Sequence, residues 1–318
     1  MNFEIDEQQR DFAASIDAAL GAADLPAAVR AWAAGDTAPG RKVWAQLSDL
    51  GVTALLVPEN FDGIEAHPVD LVVALERLGK WNVPGPVTES IAVAPILLGD
   101  DERVGALAAG ELIATVAAPP LVPRAVDADA AGLILLTGDD SVSDASAGQE
   151  HESVDPARKL FEVSATGESR SADVARALDF GVLATAAQLI GAAQAMLDGS
   201  VEYAKQRSQF GTVIGTYQAI KHKLADVLIA IELARPLVYG AALSLADGSP
   251  DAARDVSAAK VAAADAALVS ARSSLQTHGA IGYTQEHDLS LLLLRVQALR
   301  PAWGDPTWHR RRVLEALS

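Results

Sequence analysis

An arginine placed just before a glycine-containing turn is the first arrangement in this chain that suits chemistry. Arg207-Ser208-Gln209-Phe210-Gly211 is followed by Ile214, Gln218, His222, Lys223, Leu224, Ala225 and Asp226. A guanidinium there can pair with a pyrophosphate oxygen, and glycine lets a backbone come close to phosphate because it carries no Cβ. A second block runs Gln276-Thr277-His278-Gly279-Ala280-Ile281-Gly282-Tyr283-Thr284-Gln285-Glu286. The plainer reading of either block alone is an arginine on a solvated helix end and glycines at ordinary turns.

Other reactive-looking residues read as structural. His222 lies one helical turn after Gln218, between Lys221 and Lys223, and is expected to pack in a buried or interface position. Glu286-His287-Asp288 is acid–base in type, but Glu286 is expected to open the last long helix, where a carboxylate stabilises unpaired N–H groups. The six histidines show no metal-ligand spacing on a shared helix face. P-loop, dinucleotide-fold, zinc-protease and serine-hydrolase signatures are absent.

The elements that must hold these residues are mostly helical. The 318 residues are 50% hydrophobic, dominated by Ala, Val and Leu with few aromatics, a mixture that favours packed helices. Without cysteine there is no disulfide framework and no thiolate metal site. A net charge of −17 opposes nucleic-acid binding, since phosphate backbones are repelled. The opening Met1-Asn2-Phe3-Glu4-Ile5-Asp6 lacks the basic-then-apolar pattern of a signal peptide, and Gly181–Met196 is too short and polar for a membrane span. The expectation is a soluble cytoplasmic protein.

Three regions follow. Residues 1–106 read as a helical domain: Phe3, Ile5, Phe12 and Ile16 open an amphipathic segment, and Leu71, Val72, Ala74, Leu75 and Leu78 form one helix face. Residues 107–169 read as a small β module, with strands at Leu112–Ala117, Gly132–Thr137 and Phe161–Ala165. The polar stretch from Asp139 to Glu152 between them is expected to be a mobile loop. Residues 170–318 read as a bundle of four long helices, near Leu183–Ala204, Thr216–Ala246, Pro250–Thr277 and Glu286–Ala298.

With both blocks in view, the chain resembles the acyl-CoA dehydrogenases. The first block resembles the family's R-x-x-F-G-x-x-I-x-x-x-Q-x-x-x-H-x-L-A-D, and the second its Q-x-x-G-G-x-G-Y-x-x-E. Val57-Pro58-Glu59-Asn60-Phe61-Asp62-Gly63 matches V-P-E-x-x-G-G loosely. The resemblance implies a mainly α fold: an N-terminal helical domain, a central β domain (truncated here) and a C-terminal four-helix bundle. It also implies that Arg207, Phe210, Gly211, Gln276, Gly279 and Gly282 grip the adenosine diphosphate half of an FAD bound mainly by a neighbouring subunit.

The departures from the family are as informative. The reaction needs a Glu to remove the α-proton while hydride leaves the β-carbon. One family position for that Glu falls here on Trp303, or on Gly304 if the register shifts by one, and the other on Gly181. None of these accepts a proton; Asp305 is a shorter-reaching neighbour. The family's T-E-x-x-x-G-S-D and W-I-T-N-like segments, which hold the flavin ring and the acyl-CoA, are missing between Ala114 and Glu168. The resemblance therefore implies a subunit with no catalytic residue of its own, in a heterotetramer with a homologous catalytic subunit. It further implies an acyl-CoA substrate, a steroid-CoA among the options, and an electron-transfer flavoprotein as acceptor. A self-sufficient enzyme using Asp305 and a scaffold with no FAD are the rivals.

Overall fold

A computed structural model describes residues 5–318; Phe3, expected in the first amphipathic helix, lies outside them. The N-terminal region is α1 (Glu7–Gly21), α2 (Leu25–Ala33), α3 (Ala38–Asp49), α4 (Pro68–Lys80), α5 (Ala94–Leu98) and α6 (Arg103–Ala108). Asp6 starts α1 by a reciprocal cap with Gln9, and Pro68 occupies the first turn of α4, where its missing N–H costs nothing. Apolar faces of α4 meet the rest in one core that includes Leu71, Leu75 and Leu78. A π-helical turn, Thr88–Val93, runs directly into α5.

Six strands make the sheet: β1 (Ala114–Ala117), β2 (Ala125–Val126), β3 (Leu133–Thr137), β4 (Ser141–His151), β5 (Leu160–Ala165) and β6 (Arg170–Ser171). Their order is β1-β3-β4-β5-β2, with β6 also on β4. The stretch expected as a mobile loop is thus the longest strand. β4 pairs antiparallel with both β3 and β5, and a bulge between Ala147 and Glu150 absorbs its irregular register. Its Ser, Asp and Gly residues have poor strand propensity, but pairing on both sides and burial of Val142 override it. Arg103 further ties α6 to the sheet by donating to Asp101 at 2.6 Å and Asp144 at 2.7 Å. The side-chain hydrogen bond from Arg103, helped by its charge, holds the Asp101 carboxyl down at about 2.

The C-terminal bundle is α7 (Val174–Gln206), α8 (Gln218–Ala246), α9 (Ala252–His278) and α10 (Leu289–Leu299), followed by a helix not expected from the sequence, α11 (Pro306–Ala316). Glu286 does not open α10; Asp288 occupies that helix's N-cap, and Glu286 sits exposed in the preceding turn. His222 is exposed on α8, so it does not pack inside this chain.

Among the described residues, α7 and α8 are long and apolar enough to cross a membrane by length and composition. For α7 that apolarity is spent inside the fold, with 89% of its most apolar window buried; for α8 the figure is 39%. The uncovered part of α8 carries Ile229 (56% exposed), Leu233 (70%) and Leu237 (47%), spaced four apart on one face.

Candidate functional site

The Arg207 block forms the end of α7 and a tight hairpin. Arg207 leaves the helix in an extended conformation, exposed, and its carbonyl accepts from Ile214 N at 2.8 Å. β7 (Ser208–Gln209) and β8 (Thr212–Val213) pair across a two-residue turn, Phe210-Gly211. Both turn residues have positive φ, +52° and +81°, the signature of the mirror-image turns that suit hairpin twist. Phenylalanine is a poor choice for that backbone region, and this one is 94% exposed.

The second block ends α9 beside it. Gln276 is exposed, and its Oε1 accepts from the ammonium of Lys223 on α8. Gly279 caps α9 at φ +67° with no atom within 4 Å of where a Cβ would lie; the same open space surrounds Gly211. The two blocks are joined by Tyr203, whose ring stacks on His278 at 4.3 Å. Gly282 differs from the other five residues: it is buried, and an added Cβ would press on His278, Leu275 and Leu289 at 3.2–3.3 Å. Five of the six expected residues therefore reach the surface at one end of the bundle, and Gly282 packs beneath them. Exposed arginine, open backbone at two glycines and no covering side chain suit an extended diphosphate ligand.

The two positions expected to have lost the Glu prove to be neighbours. Trp303 is buried, and its ring lies where a side chain on Gly181 would go: a Cβ there would be 2.6 Å from Cε3. One indole thus fills both places. Its Nε1–H donates to Glu89 Oε1 at 3.1 Å. Trp303 itself sits at φ +57° and Gly304 at +98°. The loop carrying them is tied down by two buried bases. Lys260 Nζ donates to the carbonyls of Leu299 and Arg300, both at 3.0 Å. Burial pulls that amine down to about 7, and even a neutral amine has two N–H bonds for two carbonyls. His309 is pulled down to about 4, by burial first and by Lys260 second. It is therefore neutral at pH 7, with Nε2–H donating to Trp303 O at 2.9 Å and Nδ1 accepting from Ser257 Oγ at 3.1 Å.

Asp305 has other employment. Its Oδ1 caps α11, accepting from Thr307 N at 2.7 Å and Trp308 N at 2.9 Å. These bonds, with Trp308 the larger influence, hold its carboxyl below the usual range, which makes it a weak base. Sequence reasoning missed Glu89, which is fully buried in the π turn. Its signal was a lone carboxylate within the apolar run Val87-Thr88-Glu89-Ser90-Ile91-Ala92-Val93. A charge in such a run either meets a partner or breaks the helix packing. Also missed was the buried pair Arg295–Asp155 at 2.6 Å, which pins α10 to the connection between β4 and β5.

An N-terminal helical region, a small sheet and a C-terminal helical bundle are the architecture of a known enzyme family. Residues 6–102 match the family model "Acyl-CoA dehydrogenase, N-terminal domain", and residues 172–318 match "Acyl-CoA dehydrogenase, C-terminal domain". The chain is 32% identical over 293 residues to the acyl-CoA dehydrogenase IpdE2 of Mycolicibacterium smegmatis, covering 91% of this chain and 92% of that one. It is 33% identical over 297 residues to FadE34 of Mycobacterium tuberculosis, covering 85% of this chain and 41% of that protein. Butyryl-CoA dehydrogenase from Megasphaera elsdenii shares the fold at TM-score 0.86 and 21% identity over the whole of both chains. A chain of the ChsE4-ChsE5 complex from Mycobacterium tuberculosis does so at 0.84 and 22%, covering 100% of this chain and 99% of that one. This chain belongs to the acyl-CoA dehydrogenase family.

Proposed function

We propose that this chain is the non-catalytic subunit of a heteromeric, FAD-dependent acyl-CoA dehydrogenase, completing a flavin site whose proton-abstracting Glu belongs to the partner. The observation that carries this reading is the single indole of Trp303 lying on Gly181, which leaves neither family position able to take a proton. Asp305, occupied in capping α11 and held acidic, argues against the self-sufficient rival. The exposed stripe of Ile229, Leu233 and Leu237 gives the bundle an apolar face suited to a homologous helical partner. Arg207, Phe210, Gly211, Gln276 and Gly279 would meet the adenosine diphosphate end of the cofactor, and Gly282 would support them from below. Arg207 would pair with a phosphate oxygen, the backbone at Gly211 and Gly279 would approach the diphosphate, and Lys223 would orient Gln276. When bound, FAD supplies the hydride acceptor.

Its reaction would be α,β-desaturation of a CoA thioester, passing electrons to an electron-transfer flavoprotein. A bulky, steroid-type acyl group is the substrate we favour, because one fold neighbour is described as a steroid dehydrogenase pair, Tcur3481-Tcur3483. Co-expression with a homologous dehydrogenase encoded beside it tests the assignment. A stable complex with one FAD per heterodimer is expected, and the chain alone should show no acyl-CoA-dependent flavin reduction with FAD added. A solitary chain that binds one FAD and turns over substrate would overturn the reading.

A further inference from the structure

Three aromatic rings from three elements bridge the two blocks at the end of the bundle. Tyr203, on the last turn of α7, stacks on His278 at the end of α9, with ring centroids 4.3 Å apart and planes 26° from parallel. His287, in the turn before α10, meets His278 edge-on at 4.9 Å and Tyr203 at 6.4 Å. His278 is 6% exposed, and the other two are half-buried. Both blocks lean on this stack. The Tyr203 carbonyl accepts from Arg207 N at 2.9 Å, and the hairpin returns so closely to the next residue that a Cβ on Gly215 would lie 2.9 Å from Ala204 O. On the other side Gly282 turns back onto His278, whose Cβ would be 3.2 Å from an added Cβ.

The hydrogen bonds of the two imidazoles fix where their protons are. A carbonyl only accepts, so His278 carries its proton on Nδ1 and donates to Ser274 O at 2.9 Å. An amide N–H only donates, so His287 Nδ1 offers a lone pair to Leu289 N at 3.1 Å, where α10 begins. Acid disturbs both arrangements. A proton arriving at His287 Nδ1 removes the acceptor for Leu289 N, and a proton arriving at His278 Nε2 charges a buried ring. Two imidazoliums at this spacing also repel. The face of Tyr203 favours a cation against it. Burial, the largest influence, together with the nearby His287 nevertheless outweighs the Ser274 bond and holds the His278 pKa below its ordinary value. The charges around the stack are engaged elsewhere or solvated. Asp288 pairs with Arg30 of α2 at 2.8 Å, Lys223 of α8 bonds Gln276, and Glu202 and Lys205 of α7 pair at 2.6 Å. Glu286, Arg207 and Arg272 are exposed.

We propose that Tyr203, His278 and His287 are positioning residues that lock the two blocks in one arrangement while both imidazoles are neutral, and that acid releases both blocks together. The inference rests on the reading of these blocks as a diphosphate half-site, and it gives that site a pH dependence. Folded His278 resists a proton that the unfolded residue accepts, so the lock is complete above about pH 6.5 and weakens below it.

Hydrogen-exchange mass spectrometry of the purified full chain, without flavin, tests the lock. Segments 207–217 and 279–288 are followed at about pH 7.5 and about pH 5.5, across the range in which histidine charges. Each is corrected for the intrinsic effect of pH and read against the buried core of α7 in the same sample. In the wild type both segments should lose protection together at the lower pH, by about tenfold or more, the ratio that one pH unit of unequal proton affinity produces. His287→Asn keeps an acceptor for Leu289 N that cannot titrate, and it should hold its protection in acid. Tyr203→Ala should open both segments already at the higher pH, whereas Tyr203→Phe keeps the stacked ring and should behave as the wild type. Equal acid loss in the wild type and His287→Asn overturns the proposal, and so does a hairpin that stays protected while segment 279–288 opens. Flavin release from the reconstituted complex is a separate measurement. If it ignores pH while exchange responds as expected, the lock stands and the half-site reading falls.

Discussion

Two aromatic–glycine pairs in this bundle share a backbone and differ in everything around it. Phe210-Gly211 follows α7, and Trp303-Gly304 follows α10; all four residues have positive φ. Phe210 is 94% exposed and Trp303 1%. An aromatic residue in that region carries a conformational cost of order 1–3 kcal/mol. At Trp303 the cost is offset inside the chain, by the indole's contact with Gly181, its bond to Glu89 and the hold of His309 on its carbonyl. At Phe210 no packing of that kind is present among the described residues. The contrast separates an aromatic residue closed in within the chain from one left open at its surface.

The sharpest way to break the contrast is to look for the base. In the reconstituted complex, Asp305→Asn should leave most of the activity, because that carboxylate caps a helix. Removing one Glu from the partner should lower the rate by about 10²–10⁴-fold. Strong loss on Asp305→Asn with an indifferent partner would return the chemistry to this chain.

The closed site should also announce itself in acid. His309 has its pKa lowered from 6.5 to about 4, so between those values the unfolded chain binds a proton that the folded chain refuses. Stability is therefore full above about pH 6.5 and is lost as pH falls towards 4, by roughly 3 kcal/mol in all. Urea midpoints at pH 7 and pH 5 should differ more in the wild type than in His309→Asn, which keeps a donor for Trp303 O but cannot titrate. Equal pH dependence in the two would mean that His309 does not hold the loop as a neutral ring.

At the open site, Arg207→Ala should reduce flavin occupancy of the complex by roughly tenfold or more, the loss expected when a charge-assisted contact of about 1.5–3 kcal/mol disappears. Arg207→Lys should restore part of it, since an ammonium lacks the planar fork. Unchanged occupancy in both would leave Arg207 a surface residue.

Much of this was legible in the residue order, and the failures have physical causes. Helical periodicity located α7 to α10 because long apolar stripes have one solution, whereas α11 is short, carries Arg310, Arg311 and Arg312, and buries only Pro306 and His309. β4 was invisible because its order comes from two neighbouring strands rather than from its own Ser, Asp and Gly residues. That Trp303 and Gly181 stand at the two expected positions could be read from residue order alone, since each need only be identified. Their contact could not: it joins residues more than a hundred positions apart, and Glu89 enters it from a third region. Local spacing reports what lies on one helix face and says nothing about which loops meet in the core.

The smallest expected effect is the most direct probe of the open turn. Asn-Gly is the preferred pair for a two-residue hairpin turn with both φ positive, and Asn tolerates that region where Phe does not. Phe210→Asn should therefore stabilise the isolated chain by about 1 kcal/mol, read as a higher urea midpoint with unchanged slope. If Phe210 faces a partner or its cofactor, the same variant should weaken complex formation or flavin retention, because it removes an aromatic surface that association would bury. Opposite signs in the two measurements are what distinguish a residue kept for a neighbour from one that merely tolerates its place. A less stable free chain would mean that Phe210 already packs within it, and the contrast with Trp303 would then fail.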